Sequence, residues 1–164
     1  MKPVRAVGIQ YAALPYRITD GRLEVLLLTS RGTGRWVIPK GWPMRGKSPQ
    51  EAAAVEAHEE AGVEGEVAAA SIGSYRYLKR LNDGRRIPVQ VIVFPLQVTA
   101  EMDQWKEQTE RRKLWMPYMS AARSVGEPGL KRLLREWGRS STPGLLGSAA
   151  RLYTLFSRFR GRSR

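Results

Sequence analysis

GWPMRGKSPQEAAAVEAHEEAGV, residues 41–63, decides how this chain is read. It carries Glu56, Glu59 and Glu60 on a stretch with helical character that closes at Gly62. Residues three and four apart on a helix share a face, so the spacing predicts that the three carboxylates converge on one patch. Like charges crowded in this way are unfavourable unless a cation sits among them. Hard oxygen ligands on a rigid element suit Mg²⁺ or Mn²⁺, and such an ion suits chemistry on phosphates. His58, the only histidine, lies about 100° or more around the helix from these ligands and reads as a surface or packing residue.

The local chemistry supports the helix on its own terms. Ser48, Pro49 and Glu51 supply a capping hydroxyl, a proline at the first helical position and a carboxylate at the third, which starts the helix at Pro49. Five alanines between positions 52 and 61 favour helix and leave a smooth face that can approach a sheet, and Gly62 can turn left-handed to end it. The apolar run 36–39 immediately upstream predicts a strand, so a strand–loop–helix unit presents the acidic patch. A glutamate-rich helix is by itself most often a solvated face; the loop glycine, cap, terminator and preceding strand set this one apart.

The stretch resembles the Nudix box, the signature of hydrolases that split a nucleoside diphosphate, or another diphosphate, linked to a further group. Gly41, Glu56, Ala57, Glu59, Glu60, Gly62 and Val63 fall on the family pattern at the right spacing. Two positions depart from it: Lys47 stands where the pattern has its isolated glutamate, and Val55 where it has arginine. In the family those two side chains pair and brace the metal-binding helix, so their joint departure reads as the loss of one salt bridge, worth roughly 0 to 1 kcal/mol when exposed. The segment SRGTGRWVIPKGW (30–42), together with Trp105, Arg111-Arg112-Lys113 and Trp115, is similar to the branch of the family that handles diphosphoinositol and diadenosine polyphosphates.

The resemblance implies an α/β/α sandwich with a mixed sheet, and Mg²⁺- or Mn²⁺-dependent hydrolysis of a phosphoanhydride in a phosphorylated small molecule. Glu56, Glu59 and Glu60 would hold the metal, joined by the Gly41 carbonyl, while an activated water attacks phosphorus. The general base in the family is a box glutamate or a residue on a separate loop. Glu107 and Glu110 both stand in sequence to be that loop residue, and Glu110 joins the candidate catalytic set. Arg31, Arg35, Lys40 and Arg45, near the loop that leads into the helix, are the candidate substrate-binding cations.

Composition bounds the rest. The 164 residues fit one core of ordinary size, read as a domain over 1–138 and a tail over 139–164. The absence of cysteine excludes disulfides and thiolate zinc sites. No apolar stretch reaches the roughly 18 residues of a membrane span, and the start lacks an uninterrupted apolar core, so the expectation is a cytoplasmic protein. The net charge is +13, of which six arginines in 139–164 supply +6, leaving +7 for the body. In the tail, apolar residues recur at helical spacing over 145–159 among arginines. That pattern predicts a basic amphipathic helix, which would pack on the domain or on a second subunit, or lie on an anionic membrane.

Elsewhere strands are expected at 4–13, 23–29, 67–79, 87–98 and 114–116, with turns at Asp20-Gly21 and Asn82-Asp83-Gly84, and helices at 118–125 and 129–137. Two rival functions stand beside hydrolysis. A phosphate-binding module without turnover is motivated by Lys47 and Val55, and a nucleic-acid binder, less favoured, by the net charge. Metal-dependent phosphate release separates the first from an enzyme, and steeply salt-dependent binding to random DNA would reveal the second.

Overall fold

A computed structural model describes residues 8–142. In chain order the elements are β1 (Gly8–Thr19), β2 (Arg22–Thr29), β3 (Trp36–Val37), β4 (Lys40–Gly41), α1 (Pro49–Glu56) with a π-helical turn (Ala57–Ala61), β5 (Val63–Val67), β6 (Gly73–Arg80), β7 (Arg86–Glu101), β8 (Lys113–Pro117), α2 (Tyr118–Ser124) and α3 (Pro128–Ser141). All eight strands form one mixed sheet. Its spine is the parallel pair β1 and β7, running in register from Gly8 opposite Val89 to Tyr16 opposite Gln97. The remaining pairings are antiparallel: β2 and β4 on β1, β3 and β8 on β2, and β5 and β6 both on β7.

Alternation along the spine sends successive side chains to opposite faces. Ala12, Leu14, Val89, Val91 and Val93 face α2 and α3, where Ala121, Ala122, Leu130 and Leu134 close a buried cluster. Ala13, Phe94 and Leu96 face the other way, onto Ala53, Ala57 and Ala61 of the acidic helix. Burial on both faces is why these strands read as continuous apolar runs. The alanines let the acidic helix sit close against the sheet, and so bring Glu56 and Glu60 beside β4. The expected α/β sandwich, with helices on both sides of a mixed sheet, is the observed one.

Several boundaries move. β1 runs to Thr19, well past the expected end at 13, although Pro15 lies within it. Asp20 and Gly21 then turn the chain with φ of 51° and 74°, the positive values that a two-residue hairpin demands. The expected strand 67–79 starts too early: β5 occupies Val63–Val67, residues 68–72 lie outside any strand, and β6 starts at Gly73, whose φ of 136° suits glycine. Ser71 and Gly73 fall at that break, but no turn pair marks it. The Asn82-Asp83-Gly84 turn is present, closed by Leu81 N–H to Arg85 O at 2.8 Å. α3 runs to Ser141, past the 138/139 boundary; the amphipathic tail, with its membrane and homodimer readings, lies otherwise outside the described residues.

Candidate active site

The acidic helix starts as its sequence dictates. The Ser48 hydroxyl accepts from the Glu51 N–H at 3.3 Å while the Glu51 carboxylate accepts from the Ser48 N–H at 2.8 Å, a reciprocal cap. Its end does not follow the expected uniform α-helix. From Ala57 to Ala61 the backbone widens into a π turn, closed by Gly62 at φ 64° with its N–H on the carbonyls of Ala57 and His58. A π turn fits an extra residue into the helix, which re-aims the side chains after it, and occurs often at functional sites. Here Glu60 is turned inward, 9% exposed. Glu59 stays at the surface with Lys106 Nζ at 3.1 Å. Glu56 folds over Gly41, where a Cβ would fall inside its carboxylate, so glycine is needed at 41 for contact and not for φ. His58 points outward, 3.1 Å from the exposed Glu64.

Loop 102–112 covers this end. The carbonyls of Glu59, Glu60, Ala61 and Gly62, which a helix terminus leaves without intrahelical partners, accept in turn from Glu107 N–H, Trp105 Nε1, Lys113 Nζ and Met102 N–H at 2.8–3.2 Å. Trp105 packs so tightly on Gly62 that a Cβ there would lie 2.5 Å from its ring. Arg111, with a side chain only 8% exposed, donates to Glu60 Oε1 at 2.9 Å, to Glu107 Oε2 at 2.5 Å and to the Thr29 carbonyl at 3.1 Å. The other Glu60 oxygen accepts from the Lys40 backbone N–H at 3.2 Å.

Burial pushes the Glu60 carboxyl up to about 7, against the pull of Arg111 and Lys40 and with a further push from Glu56 and Glu107. Burial also raises Glu56, with Glu59 and Glu107 adding to it. The carboxylates therefore feel one another electrostatically, as the spacing requires. Burial lowers the Lys40 ammonium, which Glu60 and Glu127 pull back up. Lys40 Nζ sits 5.5 Å over the Tyr77 ring, and the Tyr77 hydroxyl donates to buried Gln10 at 2.7 Å.

Of the other candidate cations, Arg31 lies 3.7 Å from Glu107 and 3.8 Å from Glu110. Arg35 lies 3.7 Å from Glu127 at the start of α3. Arg45 is exposed on the loop before α1 and forms no ion pair among the described residues. A polar cleft of about 340 Å³ opens between residues 29–34 and 108–112, beside Arg111.

Residues 9–137 match the NUDIX domain family. The chain belongs to the Nudix family. It is 31% identical over 128 residues to Nudix hydrolase 17, mitochondrial, of Arabidopsis thaliana, covering 74% of this chain and 68% of that protein. To Nudix hydrolase 18, mitochondrial, of the same plant it is 33% identical over 110 residues, covering 63% and 60%. The matched stretch thus spans about two thirds or less of these relatives' own length. Among solved structures, a Caenorhabditis elegans Ap4A hydrolase binary complex superposes with a TM-score of 0.60 at 22% identity, over 80% of this chain and 95% of that one. The NUDIX domain of Shewanella oneidensis NrtR complexed with ADP ribose superposes with a TM-score of 0.60 at 16% identity, over 83% and 91%. These two likenesses show the fold. The family is one of pyrophosphohydrolases, and this chain takes its place there as an enzyme.

Nudix hydrolases generally use divalent metal ions, and the donor set here suits one in its chemistry: Glu56 and Glu60, both raised first by burial and further by neighbouring carboxylates, stand at the end of a rigid helix beside Glu59. As the side chains stand, no three acidic or histidine groups among the described residues are gathered as ligands. Lys106 and Arg111 occupy Glu59 and Glu60 instead. Glu107, weighed equally with Glu110 on sequence, stands in contact with this network, while Glu110 is half exposed and reaches only Arg31. Sequence reasoning did not single out Lys106, Tyr77 or Glu127, and had Arg111 only within a basic run. Their signal is tertiary, since partners 47 to 92 positions apart, the last being Arg35 and Glu127 (127 − 35), leave no local pattern.

Proposed function

We propose that this Nudix enzyme hydrolyses a phosphoanhydride bond in a highly phosphorylated small molecule, of the diadenosine or diphosphoinositol polyphosphate type, with Mg²⁺ or Mn²⁺ as its cation. The observation that carries this reading is the juxtaposition of acid and base at the end of the acidic helix. Glu56, Glu59, Glu60 and Glu107 lie in electrostatic reach of one another, and Arg31 and Lys40 each border that cluster. A polyphosphate needs both halves: carboxylates for the cation at the reacting phosphates, and fixed cations for the others.

Glu56, Glu59 and Glu60, with the Gly41 carbonyl, are the groups that would hold the ion, which when bound neutralises phosphate charge and makes water a better nucleophile. Lys40 and Arg31 orient the phosphate chain, with Arg35 close by on the same turn. Glu107 takes the proton from the attacking water, because its contacts tie it to Glu59 and Glu60 through the backbone and Arg111. Trp42, 42% exposed beside Gly41 with Lys79 Nζ 5.8 Å over its ring, offers a flat face for a nucleobase. The solved relative named as an Ap4A hydrolase supports the nucleotide arm of the proposal.

The test is a product assay with Mg²⁺ or Mn²⁺ across diadenosine polyphosphates, diphosphoinositol polyphosphates, nucleoside diphosphate sugars and nucleoside triphosphates. Turnover of the first or second class, lost on chelation, is the expected result. Binding of these compounds without turnover in any class would make the chain a sensing module instead.

A further inference from the structure

Two consecutive carboxylates of the acidic helix, Glu59 and Glu60, are each held by a basic side chain of the same loop, Lys106 at 3.1 Å and Arg111 at 2.9 Å. The loop itself is fixed to the helix by bonds that do not involve those carboxylates: Met102 N–H, Trp105 Nε1 and Glu107 N–H all donate to helix-end carbonyls. The two cations are therefore delivered to the glutamates by a fixed frame, and do not reach them by chance at a mobile surface. Arg111 is the more committed, because Glu60, Glu107 and the Thr29 carbonyl each receive a hydrogen bond from it.

We propose that Lys106 and Arg111 are built-in counter-cations of the acidic helix, clasping loop 102–112 onto Glu59 and Glu60 until a divalent cation takes their place. This rests on the metal-dependent reading above and adds its regulation. The two clasps differ in strength. The Lys106 pair is solvent-exposed, at 66% and 35%, so water and salt screen it and it yields first. The Arg111 pair is nearly buried, at 8% and 11%, so it holds Glu60 firmly and sets the barrier to loading. Arg111 remains tied to Glu107 and Thr29 when Glu60 is taken, so release at Glu60 does not require the loop to unfold. Glu107 then loses half of its competition for that guanidinium, which couples cation loading to the placing of the loop carboxylate.

The experiment is a titration of chelator-treated full-length protein with Mn²⁺, read by the electron paramagnetic resonance of the free ion with no substrate present. Arg111→Met should bind Mn²⁺ roughly tenfold more tightly than the wild type, and Lys106→Met about two- to threefold more tightly. Circular dichroism of each variant establishes that it is folded. Should Arg111→Met fail to fold, Lys106→Met and Arg111→Lys carry the test, the latter keeping the charge in a shorter, single-point donor and tightening Mn²⁺ less than a neutral residue would. Wild-type binding of Mn²⁺ with unchanged or weaker affinity in the folded variants would overturn the clasp and leave metal-dependent hydrolysis standing. No Mn²⁺ binding by the wild type at millimolar concentration would overturn the metal-dependent reading itself.

Discussion

The two ends of the acidic helix are built on different principles. At its N-terminus the helix depends on its own chain: Ser48 and Glu51 cap each other, Pro49 fixes the first turn, and all three lie at or near the surface. Lys47 forms no ion pair among the described residues, and Val55 is half-buried, so the charged brace that the family pattern places between those positions is missing. At its C-terminus nearly every group has a distant partner. Four successive carbonyls are taken by residues 102–113, Glu60 is buried against Arg111, and Gly62 carries the Trp105 ring. The contrast teaches that positional control is concentrated where the carboxylates are. In this chain the end without the brace is held by its own cap and the other end by loop 102–112.

The comparison breaks most readily at Gly62. Alanine there meets a φ of 64° and a ring 2.5 Å from its Cβ, so Gly62→Ala should cost about 2 to 4 kcal/mol. Ser48→Ala at the opposite end should cost about 1 kcal/mol. Urea denaturation of both variants checks the order, and equal costs would mean that the two ends are held alike.

Next in size is the effect of burying Glu60. Its carboxyl is raised from 4.5 to about 7, so the folded state binds this proton more tightly than the unfolded chain does. The resulting stability is present below pH 4.5 and is lost as the pH rises through about 7. Glu60→Gln, which cannot titrate, should therefore gain on the wild type in metal-free buffer by about 1 to 3 kcal/mol between pH 4.5 and 8. A difference that stays flat across that range would show that Glu60 is not desolvated in this way.

Glu107 and Glu110 sharpen the contrast within the loop. Glu107→Gln should lower kcat at least about tenfold, a change of about 1.4 kcal/mol, while Glu110→Gln stays within about twofold. Reversal of that order would move the base to the exposed carboxylate beside Arg31. The smallest expected effect concerns the missing brace. Lys47→Glu with Val55→Arg should stabilise the helix more than the single changes summed, by under about 1 kcal/mol in a double-mutant cycle. Strict additivity would show that the two positions do not communicate.

Much of this architecture was legible because it is local. The cap at Ser48–Glu51, the turn at Asp20-Gly21 and the terminator Gly62 follow from residue types at fixed short spacing, and each stands where it was expected. The family and its sandwich followed from the same stretch. What escaped is non-local. The split between β5 and β6 is set by tertiary pairing, since both strands lie antiparallel on the same long β7 and the link 68–72 between them carries no turn pair. The π turn depends on how residues 57–61 seat against the sheet and under loop 102–112, which no propensity encodes. Arg111 is legible within the run Arg111-Arg112-Lys113 that resembles a branch of the family, but its particular role is not, and burial against Glu60 and Glu107 is what distinguishes it. Lys40 and Arg35 were legible as cations near the site, whereas their neighbours Tyr77 and Glu127 were not, since those arrive from β6 and α3.

The most direct test of the central claim, that the C-terminal end of the acidic helix carries the chemistry, is turnover by Glu59→Gln and Glu60→Gln beside the wild type under saturating Mg²⁺, on a substrate found in the product assay. Both variants should remain folded and lose at least about a hundredfold in kcat, or about 2.7 kcal/mol of barrier stabilisation. Near-normal rates in both would contradict the account and place the reactive groups elsewhere in the molecule.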